Sequence, residues 1–242
     1  MSFVDGVVLD RPKALAALTP EKARSTCEQL MDTLVTLHEI DPAAVGLGDF
    51  GKADGFLERQ VRRWHQQWQA SETRPLDELA ATVERLTATM PEQSAPAIVH
   101  GDYRLTNVMF APGEEGIGER IAAVVDWEMA TLGDPLTDLG LMVVYQDLAQ
   151  QGDTIMPQMR PEAGFLTSEQ MIARYAQRSP RDLGRLNWYV GFGYFKLAVV
   201  AEGIHHRYLA GKTVGEGFDH FGAAVPVLLQ AALAALADQT EA

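Results

Sequence analysis

The most chemistry in the fewest residues lies in His100-Gly101-Asp102-Tyr103-Arg104-Leu105-Thr106-Asn107. An imidazole, a carboxylate, a guanidinium and a carboxamide are set here around a single glycine. The apolar segment Ala97-Ile98-Val99 leads in and Val108-Met109-Phe110 leads out. A second apolar run, Ile121 to Val125, then ends on Asp126-Trp127-Glu128. Short apolar runs bounded by turn residues read as strands. Two carboxylates and a carboxamide therefore arrive at the ends of three strand-like segments. Phosphoryl transfer from a nucleotide asks for such a set. It needs a carboxylate to orient an attacking hydroxyl and accept its proton, and oxygen ligands to hold a divalent cation on the phosphates. Asp102 can serve as the base, with Asn107 on the same loop and Asp126 from a separate strand as ligands. Mg²⁺ is hard and keeps several waters, so one carboxylate and one amide oxygen suffice beside phosphate oxygens.

These segments need a frame to hold them, and the rest of the chain reads as mostly helix. Thr19-Pro20-Glu21 combines a hydroxyl cap, proline in the first turn and an acid near the positive helix end. It predicts a helix over 20–39 that buries Ala23, Cys27, Leu30, Met31, Leu34, Leu37 and His38, the histidine as a packing residue. Phe56, Leu57, Val61, Trp64 and Trp68 predict a helix over 54–70, and Leu76, Leu79, Val83, Leu86 and Met90 another over 75–90. Pro91 to Pro96 is a turn-rich linker into the central strands. Leu132-Gly133-Asp134-Pro135 reads as a turn, after which Pro135-Leu136 opens a helix to about 149. Residues 150–166 read as a loop, and Thr167 or Ser168 caps a helix to 178. The segment from Arg181 to Tyr208 is apolar on most sides, so it must be a central buried helix, with Gly191 and Gly193 packed closely against a neighbour. A last helix over 216–237 precedes a polar tail. The fold class is α+β, predominantly α-helical, with a few short strands between 97 and 126 that carry the catalytic loop.

Composition limits the function. The chain has 242 residues, 47% of them hydrophobic, a formal net charge of −13 and a pI near 4.8. That balance argues against nucleic acid, which demands a basic face. One cysteine, Cys27, excludes an internal disulfide and fits a reducing cytoplasm, where buried filler is its expected role. The N-terminus has no signal-peptide pattern, and no uncharged apolar run reaches about 18 residues, so no membrane partner is expected. Gly46-Leu47-Gly48-Asp49-Phe50-Gly51 spells G-x-G-x-x-G, but it follows a helix terminator instead of a strand, and Asp49 would repel phosphate. It reads as a loop. Arg59, Arg62 and Arg63 beside Trp64 and Trp68 keep a helical period, which makes them the basic edge of a buried face.

The pattern H-G-D-x-x-x-x-N, followed by an apolar run into D-W-E and then Gly133-Asp134-Pro135-Leu136-Thr137-Asp138-Leu139, resembles the aminoglycoside/choline phosphotransferase family of protein-kinase-like enzymes. The outer stretches, Arg59 to Trp64 and Trp188 to Gly203, look most like the kinase-like domain fused to some acyl-CoA dehydrogenases. The resemblance implies ATP and Mg²⁺, a small-molecule hydroxyl as acceptor, Asp102 as catalytic base, and Asn107 and Asp126 as metal ligands. It implies that His100 braces the loop, Asp138 anchors it from the next helix, and Arg104 balances charge or touches a phosphate. Met1-Ser2-Phe3-Val4-Asp5-Gly6 resembles the hinge between the two lobes of such enzymes, which would put Phe3 and Val4 near the adenine. On that resemblance, residues 1–10 are a hinge remnant and 11–242 the C-terminal lobe, without the N-terminal nucleotide lobe. Activity of the chain is then expected to be impaired, with self-association through the surface that lobe would cover. Two other readings are a non-catalytic binding or scaffold remnant and a metal-dependent phosphoesterase. Two-metal hydrolases need several His and Asp ligands, and the remaining histidines (His38, His65, His205, His206, His220) lack that spacing.

Overall fold

In the computed structural model, which describes residues 3–113, 116–151 and 158–237, the chain runs through twelve elements. They are α1 (Pro12–Ala16), α2 (Pro20–His38), α3 (Phe56–Ser71), α4 (Asp77–Ala88), β1 (Ala97–Val99), β2 (Val108–Gly113), β3 (Gly116–Val124), β4 (Thr131–Gly133), α5 (Leu136–Gln151), α6 (Ser168–Arg178), α7 (Leu186–Leu209) and α8 (Phe221–Ala237). Met1-Ser2 of the hinge-like stretch, 152–157 of the expected loop and the tail from 238 lie outside the described residues. The capping signals act as expected. Thr19 accepts the Lys22 backbone N–H at 3.3 Å, and Thr167 and Gln170 form a reciprocal capping box at the start of α6.

The strands form two antiparallel pairs. β1 pairs with β4 (Ala97 opposite Gly133) and β2 with β3 (Val108 opposite Val124). Val7 bridges Phe110 with reciprocal backbone hydrogen bonds of 2.8 and 2.9 Å, tying the start of the chain to the edge of β2. The expected turn at Leu132-Gly133 is instead a strand. Leu132 buries beside Ile98 and Leu37, and three residues are too few to show an alternating pattern. The turn proper falls on Asp134-Pro135, where buried Asp134 accepts from the Leu136 N–H at 3.0 Å, from Ser94 N and Oγ at 2.8 Å each, and from the Tyr189 hydroxyl at 2.8 Å.

α7 is central and packs against α5, α8 and α3. It begins at Leu186, later than the apolar pattern predicts, because the preceding residues are committed elsewhere. Arg181 donates to the Ala95 and His38 carbonyls at 2.7 and 2.9 Å, and Asp182 closes a turn onto the Gly184 N–H at 2.8 Å. α8 likewise starts at Phe221 and not at 216, since Gly217 turns the chain at φ 89° into a short 3₁₀ turn. Phe218–Ala237 is long and apolar enough by length and composition to cross a membrane, and its Val225, Leu228, Leu229, Ala232 and Leu236 are buried in the core. Cys27 is buried filler as expected, its thiol pushed up to about 11 by burial. The close packing expected of α7 is present. A Cβ on Gly191 would fall 2.7 Å from Leu236 Cγ, and one on Gly140 of α5 would fall 2.5 Å from the Tyr189 carbonyl carbon.

Asp138, in the first turn of α5, is 1% exposed. Its Oδ2 accepts from the His100 N–H at 2.7 Å and its Oδ1 from the Gly101 N–H at 2.8 Å. His38 Nε2 lies 3.4 Å from Oδ2, and His38 Nδ1 is 2.9 Å from the Tyr175 hydroxyl. His38 is thus a satisfied core histidine that links α2, α5 and α6. Burial alone would raise the Asp138 pKa. The bond and charge of the His38 ring, with the His100 and Gly101 N–H groups, outweigh it and hold the carboxyl below its ordinary 3.8.

Gly140→Ala forces α5 and α7 apart at backbone, not at a flexible side chain, so thermal denaturation should show a loss of about 2 kcal/mol, roughly 4–8 °C. A carboxyl with a depressed folded pKa stabilises above its unfolded pKa, and that contribution fades as pH falls toward the folded value. Wild-type stability should therefore fall more steeply than that of Asp138→Asn as pH drops below about 4. Parallel slopes would contradict the assignment.

Candidate active site

The catalytic loop leaves β1 at Val99 and turns at Gly101, whose φ is 87°. A Cβ there would sit 2.8 Å from both Cβ and O of Met129, so the turn and the contact both require glycine. His100, fully buried, accepts the Asp102 N–H at Nδ1 (3.2 Å) and reaches the Val125 carbonyl with Nε2 (2.9 Å). The ring proton therefore lies on Nε2, and the side chain stitches the loop to the strand end that carries Asp126. A 3₁₀ turn, Leu105–Asn107, returns the chain to β2. The Val125 N–H then donates to the Asn107 carbonyl at 2.9 Å. Backbone pairing thus puts Asn107 beside Val125-Asp126.

Described side chains hold both oxygens of the Asp102 carboxylate. Asn107 Nδ2 donates to the Asp102 carbonyl at 2.9 Å and to its Oδ2 at 3.1 Å. Arg104 Nε stands 3.5 Å from Oδ2, an ion-pair distance without hydrogen-bond alignment, with its guanidinium over the Tyr145 ring. The Tyr145 hydroxyl donates to Oδ1. From α7, Lys196 donates to the Gly101 carbonyl and lies 5.2 Å from the Trp64 ring centroid. Burial lowers the Lys196 pKa, and the charges of Asp102 and Asp138 offset part of that shift.

The donor set suits a hard cation carried on phosphates. Both hydrogen bonds of the Asn107 side chain with described residues use its nitrogen, leaving the amide oxygen as a ligand. Asp126 is exposed and adopts a left-handed conformation (φ 65°, ψ 54°), alone in this among the described non-glycine residues. Such backbone strain in a residue with a Cβ is common at functional sites. Its carboxylate makes no hydrogen bond or ion pair with a described residue. Among the described residues no group of three or more His, Cys, Asp and Glu is gathered as a metal cage. A cation here would draw its other ligands from phosphate and water, as Mg²⁺ does.

Two cavities flank the loop and share Trp64, Met129 and Lys196 as a common wall. One, of about 450 Å³, is lined by Lys52, Arg59, Arg62, Arg63 and Lys196 beside the Gly101 backbone and Glu128. The other, of about 300 Å³, contains Asp102 against apolar residues such as Leu197, Val200 and Ile204. The basic edge expected on α3 is therefore the lining of a cavity next to the loop.

Of the residues singled out from sequence, the side chains of His100, Asp102, Asn107 and Asp138 form one hydrogen-bonded cluster, Arg104 stands at ion-pair distance from Asp102, and Asp126 is brought to them through β3. Phe3 and Val4 are exposed, 93% and 36%, upstream of the bridge to Phe110. Tyr145 and Lys196 were not singled out. The signal for Tyr145 is its place seven residues, two helical turns, after Asp138. For Lys196 it is a lone Lys or Arg within the apolar run 186–206.

A family model described as phosphotransferase enzyme family matches residues 1–178. Acyl-CoA dehydrogenase family member 11 of Mus musculus is 32% identical over 226 residues, 89% of this chain and 28% of that protein. Family member 10 of Mus musculus is 29% identical, covering 88% of this chain and 20% of that protein. The chain thus spans less than a third of the length of these relatives. The structure of an aminoglycoside-phosphotransferase-like protein from Ralstonia eutropha JMP134 superposes with a TM-score of 0.86 at 28% identity, over 98% of this chain and 72% of that one. A choline/ethanolamine kinase family protein from Mesorhizobium loti shares the fold alone, with a TM-score of 0.56 at 17% identity over 98% of this chain and 73% of its own. The fold is protein-kinase-like, and the chain belongs to the phosphotransferase enzyme family.

Proposed function

We propose that this chain transfers the γ-phosphate of ATP to a hydroxyl of a small molecule. The observation that carries the proposal is the locked Asp102–Asn107 pair. One side chain presents a carboxylate, and the other donates to it through nitrogen while keeping its oxygen for a cation. Asp102 orients the acceptor hydroxyl and takes its proton as the new O–P bond forms and the bond to the ADP oxygen breaks. Asn107 and Asp126 hold Mg²⁺, which when bound neutralises charge on the phosphates. His100 and Asp138 keep the loop in place, and Arg104 balances the Asp102 charge. Phe3 and Val4, exposed upstream of the Val7–Phe110 bridge, meet the adenine in this reading. Their exposure also supports self-association through that end of the molecule. A cytoplasmic location suits a nucleotide-dependent reaction.

The acceptor carries a negative group. Five basic side chains line the cavity beside Gly101 against two carboxylates, Glu128 and Asp138, so basic groups outnumber acidic ones there. A polycationic aminoglycoside would meet repulsion at this wall. The neighbouring apolar cavity with Asp102 takes the part of the acceptor next to its hydroxyl. A phosphoesterase is disfavoured because no multi-ligand metal cage is gathered among the described residues. A non-catalytic scaffold would have no use for the strained Asp126 or for the oriented Asn107 amide.

Mg·ATP at millimolar concentration should raise the melting temperature, and Asp126→Ala should abolish the shift. Asp102→Ala should keep the shift but lower the rate of ADP formation at least a hundredfold. A shift that survives Asp126→Ala would contradict the metal assignment. In a panel of hydroxylated acceptors, acidic ones should stimulate ADP formation and aminoglycosides should not. Arg62→Glu with Arg63→Glu should raise the acidic acceptor's KM at least tenfold. An unchanged KM would place the negative group elsewhere.

A further inference from the structure

We propose that Tyr145 is the positioning residue that aims the Asp102 carboxylate, a role that rests on the phosphotransferase reading above. Asp138 and Tyr145 are seven residues apart and share one face of α5. Asp138 grips the backbone of the catalytic loop at His100 and Gly101, and Tyr145 grips its functional side chain at Oδ1. One rigid, buried helix thus holds the loop at two points.

The second hold is needed because the first leaves the carboxylate free. The χ2 torsion of aspartate is broad and roughly two-fold, so backbone anchoring does not decide where its oxygens point. Asn107 holds Oδ2, and Tyr145 holds Oδ1 from the opposite chain segment. Rotation about Cβ–Cγ would break both bonds. Tyr145 is itself well placed to act as a fixed arm. It is 6% exposed, its ring lies under the Arg104 guanidinium at 5.5 Å, and it lines the apolar cavity that contains Asp102. Burial, followed by the Asp102 charge, raises the phenol pKa well above its ordinary value, so the hydroxyl remains a donor at working pH. Each carboxylate oxygen accepts more than one hydrogen bond, so Oδ1 can hold Tyr145 and still receive an acceptor hydroxyl.

A merely packing role makes a different prediction, since phenylalanine would fill the same space. The test measures ADP release from Mg·ATP with water as acceptor, in wild type, Tyr145→Phe, Asp102→Asn and the double variant. Tyr145→Phe should lower kcat about tenfold, leave KM for Mg·ATP within twofold and keep the melting temperature. In the Asp102→Asn background the same change should have no further effect on kcat. Proton NMR adds a readout independent of turnover, a downfield hydroxyl resonance in wild type that is lost in both Tyr145→Phe and Asp102→Asn. Unchanged or faster turnover in Tyr145→Phe, with wild type active, would overturn the positioning role alone. The faster case would make the hydroxyl an obstruction in the acceptor's place. Wild type without ADP release but with the NMR signal would overturn the phosphotransferase reading, and the positioning role with it. Absence of the signal would overturn the hydrogen bond on which the role stands.

Discussion

The buried Asp138 carboxylate between the His100 and Gly101 N–H groups is the interaction on which the rest depends. A loop that must expose a carboxylate cannot bury its own backbone, so its unpaired N–H groups need a partner from beneath. Asp138 supplies two acceptors at once, and His38 and Tyr175 steady it from α2 and α6. The cost of burying a charge is offset by these bonds, which hold the carboxyl below its ordinary pKa. Losing one partner of such a cluster would leave a charge or donors uncompensated, so the cluster stands or falls together.

The helices are organised to bring that carboxylate there and keep it still. α5 and α7 are apolar nearly all round, which commits them to the interior and leaves them only one depth at which to sit. Gly140 lets their backbones approach, and four of the polar groups they carry inward meet the loop or its supports. Asp138 and Tyr145 come from α5, Lys196 from α7, and Tyr189 of α7 holds Asp134, which starts α5. The core and the site are therefore one construction. Damage to the α5–α7 contact should be felt at Asp102 as well as in stability.

Much of this was legible in the residues. The helix starts at Pro20, Leu136 and Ser168 follow from capping and proline chemistry, and the constellation of His100, Asp102, Asn107 and Asp126 was visible because a short loop and a strand end carry it in sequence order, while Asp138 entered through the family resemblance. The parts that were not legible are those that depend on three-dimensional proximity. β4 is too short to show a period, and its strand state is decided by pairing with β1. The start of α7 is set by what Arg181 and Asp182 bind, which hydropathy does not encode. Tyr145 and Lys196 look like ordinary members of apolar helices until the loop is folded onto them. The basic residues of α3 read as a solvated edge, and Arg62 and Arg63 are exposed as that reading expects. What the period does not show is that the packing of α3 against α7 sets this edge at a cavity beside Gly101.

The central claim is that this loop and strand end assemble one nucleotide-metal site. The most direct measurement is a crystal structure of the chain with Mg²⁺ and a non-hydrolysable ATP analogue. The account predicts a cation bound by the Asn107 amide oxygen and the Asp126 carboxylate, bridging to the phosphates, with the Asp102 carboxylate facing the γ-phosphate and still held by Tyr145. Phosphates bound elsewhere, with Asn107 and Asp126 making no contact to metal or nucleotide, would contradict it.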